Sequence, residues 1–149
     1  MIAPNVASRT NRAQPVLIYL GLAALTILAG LVLRLVSLGL PSALTKWGGS
    51  VLWAWMVYWL IAAAFPFRRL VTVALVASVF AALVELSRLY HSPGLDAFRL
   101  TLAGKLLLGR VFSGWHFFVY WAAIAVAALA DWRFIRDWRS TRPVLRKNA

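Results

Sequence analysis

Apolar and polar residues fall in long blocks along this chain, not at the two-residue period of a half-buried strand. Residues 16–33 contain no charged side chain; neither do 51–65, 70–84 or 111–130. A helix that crosses a bilayer core needs about 20 such residues. The blocks therefore predict four transmembrane helices, at approximately 16–34, 51–66, 70–90 and 111–130. Residues 1–14 are polar, with Arg9 and Arg12. A basic start before an apolar run also describes a secretory signal, but the apolar core of a signal is about 7–15 residues long. The run here has eighteen, so it is read as the first span, ended by Arg34.

The connecting stretches are marked by helix breakers and charge. Residues 36–50 hold Pro41, Lys46, Trp47 and the pair Gly48-Gly49, which read as a loop or short interfacial piece. Pro66-Phe67-Arg68-Arg69 reads as a tight basic turn, and Ser92-Pro93-Gly94 breaks the third helix. Residues 95–110 scatter Asp96, Arg99, Thr101, Lys105 and Arg110 among leucines. That is too charged to cross lipid unprotected, and a short interfacial or re-entrant helix is expected. Residues 131–149 read as a basic tail. The fold class expected is all-α: one polytopic membrane helical bundle over 1–149, four transmembrane helices plus the short helix.

Composition agrees. The hydrophobic fraction is 62%, and there is no cysteine, which excludes disulfides and thiolate metal sites. The net charge of +12 raises the question of nucleic acid, but the basic residues flank apolar runs and form no single stripe, so no nucleic-acid partner is expected. With four spans, ten basic residues fall on the side of the termini and the Arg68-Arg69 turn, and six fall on the other. The positive-inside rule then places both termini in the cytoplasm. Trp53, Trp55 and Trp59 with Tyr58 read as interfacial anchors of the second span.

This arrangement gathers polar groups from distant parts of the chain at the non-cytoplasmic end. Arg34, Lys46, Ser50, Glu85, Arg88, His91, Asp96, Arg99, His116 and Tyr120 all reach that face. Ionisable groups beside hydrocarbon are costly unless paired, so the stretch from Glu85 to Arg99 is the default candidate site. Glu85 and His116 are candidates for acid–base work. Alternatively, Glu85 makes a structural salt bridge to Arg88, three residues on along the same helix face, or to Arg99. Arg88, Arg99, Arg34 and Lys46 carry the charge to hold a lipid phosphate, with Glu85, Asp96, Ser50, His91 and Tyr120 shaping the site. No metal is expected, since no His-x-x-x-His spacing occurs, and no cofactor loop or nucleophile elbow is present. Ser87, His91 and Asp96 are the residue types of a catalytic triad, but they lie too close in sequence for its geometry.

Several blocks resemble a known family. They are Gly49-Ser50-Val51-Leu52-Trp53-Ala54, Glu85-Leu86-Ser87-Arg88-Leu89-Tyr90 and Leu95-Asp96-Ala97-Phe98-Arg99-Leu100-Thr101, then Gly104 with Leu106-Leu107-Leu108-Gly109, Phe112 and Tyr120. In order and spacing, over roughly residues 20–130, they resemble a domain-of-unknown-function family of small bacterial integral membrane proteins. Some members carry the label ribosomal maturation YjgA family, and the family is distantly similar to VanZ-like proteins. The pattern is matched at Glu85, Asp96, Arg99 and Tyr120. Arg88 stands where the family usually has Gln, and Ser50 and His116 stand where it has Asp. The resemblance implies a multi-pass protein of the bacterial inner membrane with a cell-envelope role.

The function expected is binding of an anionic lipid or lipid-linked envelope precursor at the outward polar site. The alternatives are a small accessory subunit of a larger membrane complex and a lipid-phosphate hydrolase or transferase. Membrane lipids are the partner the first reading implies, and a membrane protein is the partner the accessory-subunit reading implies.

Overall fold

The computed structural model describes residues 6–36, 39, 41–108 and 113–136. Among these residues six α-helices follow one another: α1 Val6–Leu35, α2 Ser42–Ala64, α3 Leu70–Ser87, α4 Pro93–Leu100, α5 Leu102–Leu107 and α6 Trp115–Ala130. A π-helical stretch, Asp131–Arg136, continues α6. Four stretches are long and apolar enough to cross a membrane: Ala13–Leu35, Trp47–Ala64, Leu70–Ser87 and Trp115–Arg136. The chain is thus a helical bundle of four candidate spans, with α4 and α5 as the short inserted pair.

The bundle is built on small residues. Ala54, Ala62, Ala77, Ala81, Ala123 and Ala127 are buried, while Leu17, Leu25, Leu75, Leu83 and Leu129 face outward. Hydrocarbon solvates leucine as well as a protein interior does, so close packing of small side chains is what brings such helices together. Helix α2 packs on α1, α3 and α6, and α3 also packs on α6.

Several expected boundaries move. α1 begins at Val6, ten residues before the expected 16, because a helix continues into the polar flank once the span is satisfied. Pro15 lies inside it and withholds one backbone hydrogen bond. α2 begins at Ser42, inside the expected 36–50 loop, with Pro41 extended just ahead of it (φ −53°, ψ 140°). Gly48 and Gly49 are helical. A Cβ at 48 would lie 3.1 Å from Leu33 Cδ2, so this glycine lets α1 and α2 approach closely. α3 ends at Ser87 instead of 90, and α6 begins at Trp115 instead of 111. The expected single helix at 95–110 is two. Thr101 is extended (φ −69°, ψ 162°) and caps α5 by accepting from the Gly104 N–H at 3.0 Å. The expected tail at 131–149 begins within the last helix; its residues 137–149 lie outside the described ones.

The second span's tryptophans also differ from the anchor reading. Trp53 Nε1 donates to the Leu107 carbonyl at 3.0 Å and Trp55 Nε1 to the Ala123 carbonyl at 2.9 Å. Trp59 is buried and stacks on Tyr19. An indole N–H near hydrocarbon needs an acceptor, and the bundle supplies one for Trp53 and Trp55.

Candidate functional site

The antiparallel run of the helices brings the C-terminal end of α3 beside the N-terminal end of α6 and the first turns of α2. Glu85, in the last turn of α3, is fully buried. Its Oε2 lies 2.5 Å from Arg88 Nη1, the i,i+3 neighbour. Its Oε1 accepts from the Ser113 N–H at 2.9 Å and lies 3.1 Å from His116 Nδ1. Arg88 is buried as well. Its Nε donates to the Leu108 carbonyl at 2.6 Å, its Nη2 to the Tyr120 hydroxyl at 3.2 Å, and its Nη1 lies 3.1 Å from His116 Nδ1. A buried guanidinium and carboxylate each lose hydration worth several kcal/mol, and they persist only when paired and hydrogen-bonded as these are.

Aromatic rings wall this cluster. Trp47 meets His116 edge-on with centroids 6.0 Å apart, Trp53 lies 5.0 Å from Tyr120, and the His116 and Tyr120 rings are 5.6 Å apart. His116 is more than nine-tenths buried, and its Nε2 has no hydrogen-bond partner among the described residues.

A second group adjoins it through Ser87. Arg99 is buried and donates from Nη2 to the Ser87 carbonyl at 2.5 Å, and from Nη1 to the Tyr90 carbonyl at 2.9 Å and Asp96 Oδ1 at 3.0 Å. The last carbonyls of a helix have no partner within it, and Arg99 supplies two donors there, pinning α4 to the end of α3. His91 Nδ1 lies 3.3 Å from Asp96 Oδ1 in an exposed pair.

The structure therefore joins Glu85, Arg88, His116 and Tyr120 directly, and sets Asp96, Arg99 and His91 beside them. Each side-chain nitrogen of Arg88 and both terminal nitrogens of Arg99 have acceptors or partners in the protein, so both arginines act as internal ties. Arg34 is exposed near the end of α1, and Ser50 is half-buried on α2. The side chain of Lys46 lies outside the described residues. No group of three or more metal-ligating His, Asp or Glu side chains occurs among the described residues.

Sequence reasoning missed a second buried carboxylate at the opposite end of the bundle. Asp131 is fully buried. Its Oδ1 accepts from the Tyr19 hydroxyl at 2.7 Å; its Oδ2 accepts from the Tyr58 hydroxyl at 2.8 Å and from Arg136 Nε at 2.9 Å. Arg136 Nη1 reaches on to the Arg68 carbonyl at 2.6 Å. Five residues on along an α-helix, a side chain points about 140° away. The i→i+5 winding of a π-helix aligns them instead, which is how Arg136 meets Asp131. The available signal was that Asp131, one of only four acidic residues, ends an apolar run as Glu85 does.

A bundle of four apolar spans closed around a buried Glu–Arg–His–Tyr cluster defines a polytopic helical membrane protein with a polar site at one end. Residues 39–124 match the family described as a protein of unknown function, DUF2809, and the chain belongs to that family. The match takes in the whole Glu85 cluster. No solved structure matches the chain.

Proposed function

We propose that this protein binds the head group of an anionic lipid, or of a lipid-linked envelope precursor, at the end of the bundle where Glu85 meets His116. We place it in the bacterial inner membrane with both termini cytoplasmic and this end outward. The distribution of basic residues and the resemblance to VanZ-like envelope proteins support that placement. One observation carries the reading: a preformed, buried ion-paired cluster presents a single unpartnered ring nitrogen, His116 Nε2. Polar groups held at depth in a membrane bundle, with a ring nitrogen left open, are what a ligand site requires. Glu85 and Arg88 fix the imidazole, Trp47 and Tyr120 wall it, and exposed Arg34 adds positive potential near the rim.

Native mass spectrometry of the full chain tests this. Phosphatidylglycerol should be retained over phosphatidylcholine, and His116→Leu with Arg34→Ala should lower the retained fraction. Equal retention of both lipids by the wild-type chain, or no change in either variant, ends the proposal.

A second reading rests on the Glu85–His116 contact. A carboxylate beside Nδ1 with Nε2 open is the arrangement that orients a histidine as general base. On that reading the protein is a lipid-phosphate hydrolase or transferase in which Nε2 takes the proton of the attacking hydroxyl. Phosphate release from a lipid phosphate that vanishes in His116→Gln while lipid binding persists would favour it. The accessory-subunit alternative would use surfaces other than the indole N–H groups of Trp53 and Trp55, which donate to the Leu107 and Ala123 carbonyls.

A further inference from the structure

We infer that the open atom of the cluster is a hydrogen-bond acceptor, so the head group it takes carries a hydroxyl, as glycerol and sugar head groups do. This rests on the lipid-binding reading. His116 Nδ1 lies 3.1 Å from both Glu85 Oε1 and Arg88 Nη1. A neutral imidazole carries one N–H, and a guanidinium can only donate. Suppose Nδ1 were bare. Its lone pair would then face the carboxylate oxygen, and Nε2–H would be a buried donor with no acceptor. With the proton on Nδ1, Oε1 gains a second donor beside the Ser113 N–H. Arg88 Nη1 gives up the ring but keeps its ion pair with Glu85 Oε2, 2.5 Å away. Nε2 is then left as a lone pair, and a bare acceptor is the more tolerable of the two buried deficits.

Among the described residues, none hydrogen-bonds to Nε2. From α3, Glu85 and Arg88 occupy the Nδ1 side of the ring. From α6, the Tyr120 hydroxyl accepts from Arg88 Nη2 at 3.2 Å and makes no hydrogen bond to Nε2. From α2, Trp47 lies edge-on to the ring and makes no hydrogen bond to Nε2. Among anionic lipids, a bare phosphate oxygen is itself an acceptor and cannot satisfy Nε2. A hydroxyl on the head group can, while the phosphate lies farther out on the side of the exposed Arg34.

The test uses the full chain in micelles and two probes with the same acyl chains and phosphodiester charge: phosphatidylglycerol, and phosphatidylpropanol, which lacks the hydroxyls. The wild-type chain should bind phosphatidylglycerol roughly five- to tenfold more tightly, the worth of one hydrogen bond. That ratio should fall to about one in His116→Phe. The 15N spectrum of histidine-labelled protein, which has two histidines, should show His116 protonated at Nδ1 and bare at Nε2. The wild-type ratio and spectrum decide the matter even where the variant fails to fold. Equal affinity for the two lipids, or a proton on Nε2, overturns the hydroxyl inference and leaves the lipid reading standing. Failure of both probes to bind overturns the lipid reading, and the head-group inference with it.

Discussion

Removing one hydroxyl from Tyr19 should destabilise the bundle more than removing one from Tyr58, although both bond the same carboxylate. Tyr19 is the donor to Asp131 Oδ1, whereas Oδ2 has both Tyr58 and Arg136. Tyr19→Phe therefore leaves a fully buried oxygen without its donor; Tyr58→Phe leaves Oδ2 still paired. Hydrogen bonds to charged groups contribute about 1.5–3 kcal/mol in water-soluble proteins. Those measured in a membrane bundle average about 0.6, with a maximum near 1.7. Full burial and the 2.7 Å distance place Tyr19 toward the top of the membrane range, at about 1.5 kcal/mol. Tyr58→Phe should cost about 1 kcal/mol or less. The assay is reversible unfolding by SDS titration into mixed micelles, followed by the fluorescence of the eight tryptophans. Penalties in the reverse order, or both below about 0.3 kcal/mol, would refute the view that unsatisfied carboxylate oxygens set the ranking.

Other substitutions follow from particular contacts. Glu85→Ala leaves Arg88 buried without its carboxylate and should cost about 3–5 kcal/mol in the same assay; a loss under about 1 kcal/mol would show the pair to be hydrated in solution. Gly104→Ala should lower the melting temperature sharply, because its Cβ would sit 2.6 Å from the Phe98 carbonyl carbon and 2.7 Å from Arg99 Cα, both backbone atoms that cannot step aside. Because the chain has no cysteine, Val36→Cys and Phe67→Cys, both at exposed positions, allow labelling with a membrane-impermeant maleimide in intact cells. Only Val36→Cys should react; labelling at 67 alone inverts the proposed orientation.

The four spans were legible because length of apolar block is a signal that needs no partner. What was not legible depended on neighbours remote in sequence. Gly48-Gly49 cost a helix about 1 kcal/mol each by propensity, which is why they read as loop. Leu33 of α1 explains why glycine is nevertheless placed at 48. The break at Thr101 was harder still, since a side-chain cap decides it and the surrounding leucines suit one helix or two. Trp53 and Trp55 were assigned to the interface by residue type, and only their acceptors, the Leu107 and Ala123 carbonyls, turn them inward. At the candidate site, the i,i+3 spacing of Glu85 and Arg88 was readable; the Arg99 contacts with the Ser87 and Tyr90 carbonyls were not. Asp131 was overlooked because the arginines after it suggested a solvated tail. The tyrosines inside two spans, each with a hydroxyl to satisfy, pointed to a buried acceptor at that end.

The two buried carboxylates differ in what they leave over, and this separates assembly from ligand binding. Asp131 has both oxygens saturated by donors from α1, α2 and the end of α6, and Arg136 extends the network to the Arg68 carbonyl. It ties helices together, and its unpartnered nitrogen, Arg136 Nη2, belongs to a side chain that is 19% exposed. The Glu85 cluster is ion-paired too, but its open ring nitrogen, His116 Nε2, sits on a side chain that is only 11% exposed. The family match spans 39–124, so it includes Glu85, Arg88, His116 and Tyr120 but excludes Tyr19, Asp131 and Arg136. Asp131→Asn should therefore lower unfolding stability by about 3–5 kcal/mol while the surviving folded molecules retain lipid as the wild type does. His116→Leu should show the reverse, near-native stability with lost lipid. Lipid loss in folded Asp131→Asn protein would merge the two ends into one functional unit and overturn this division.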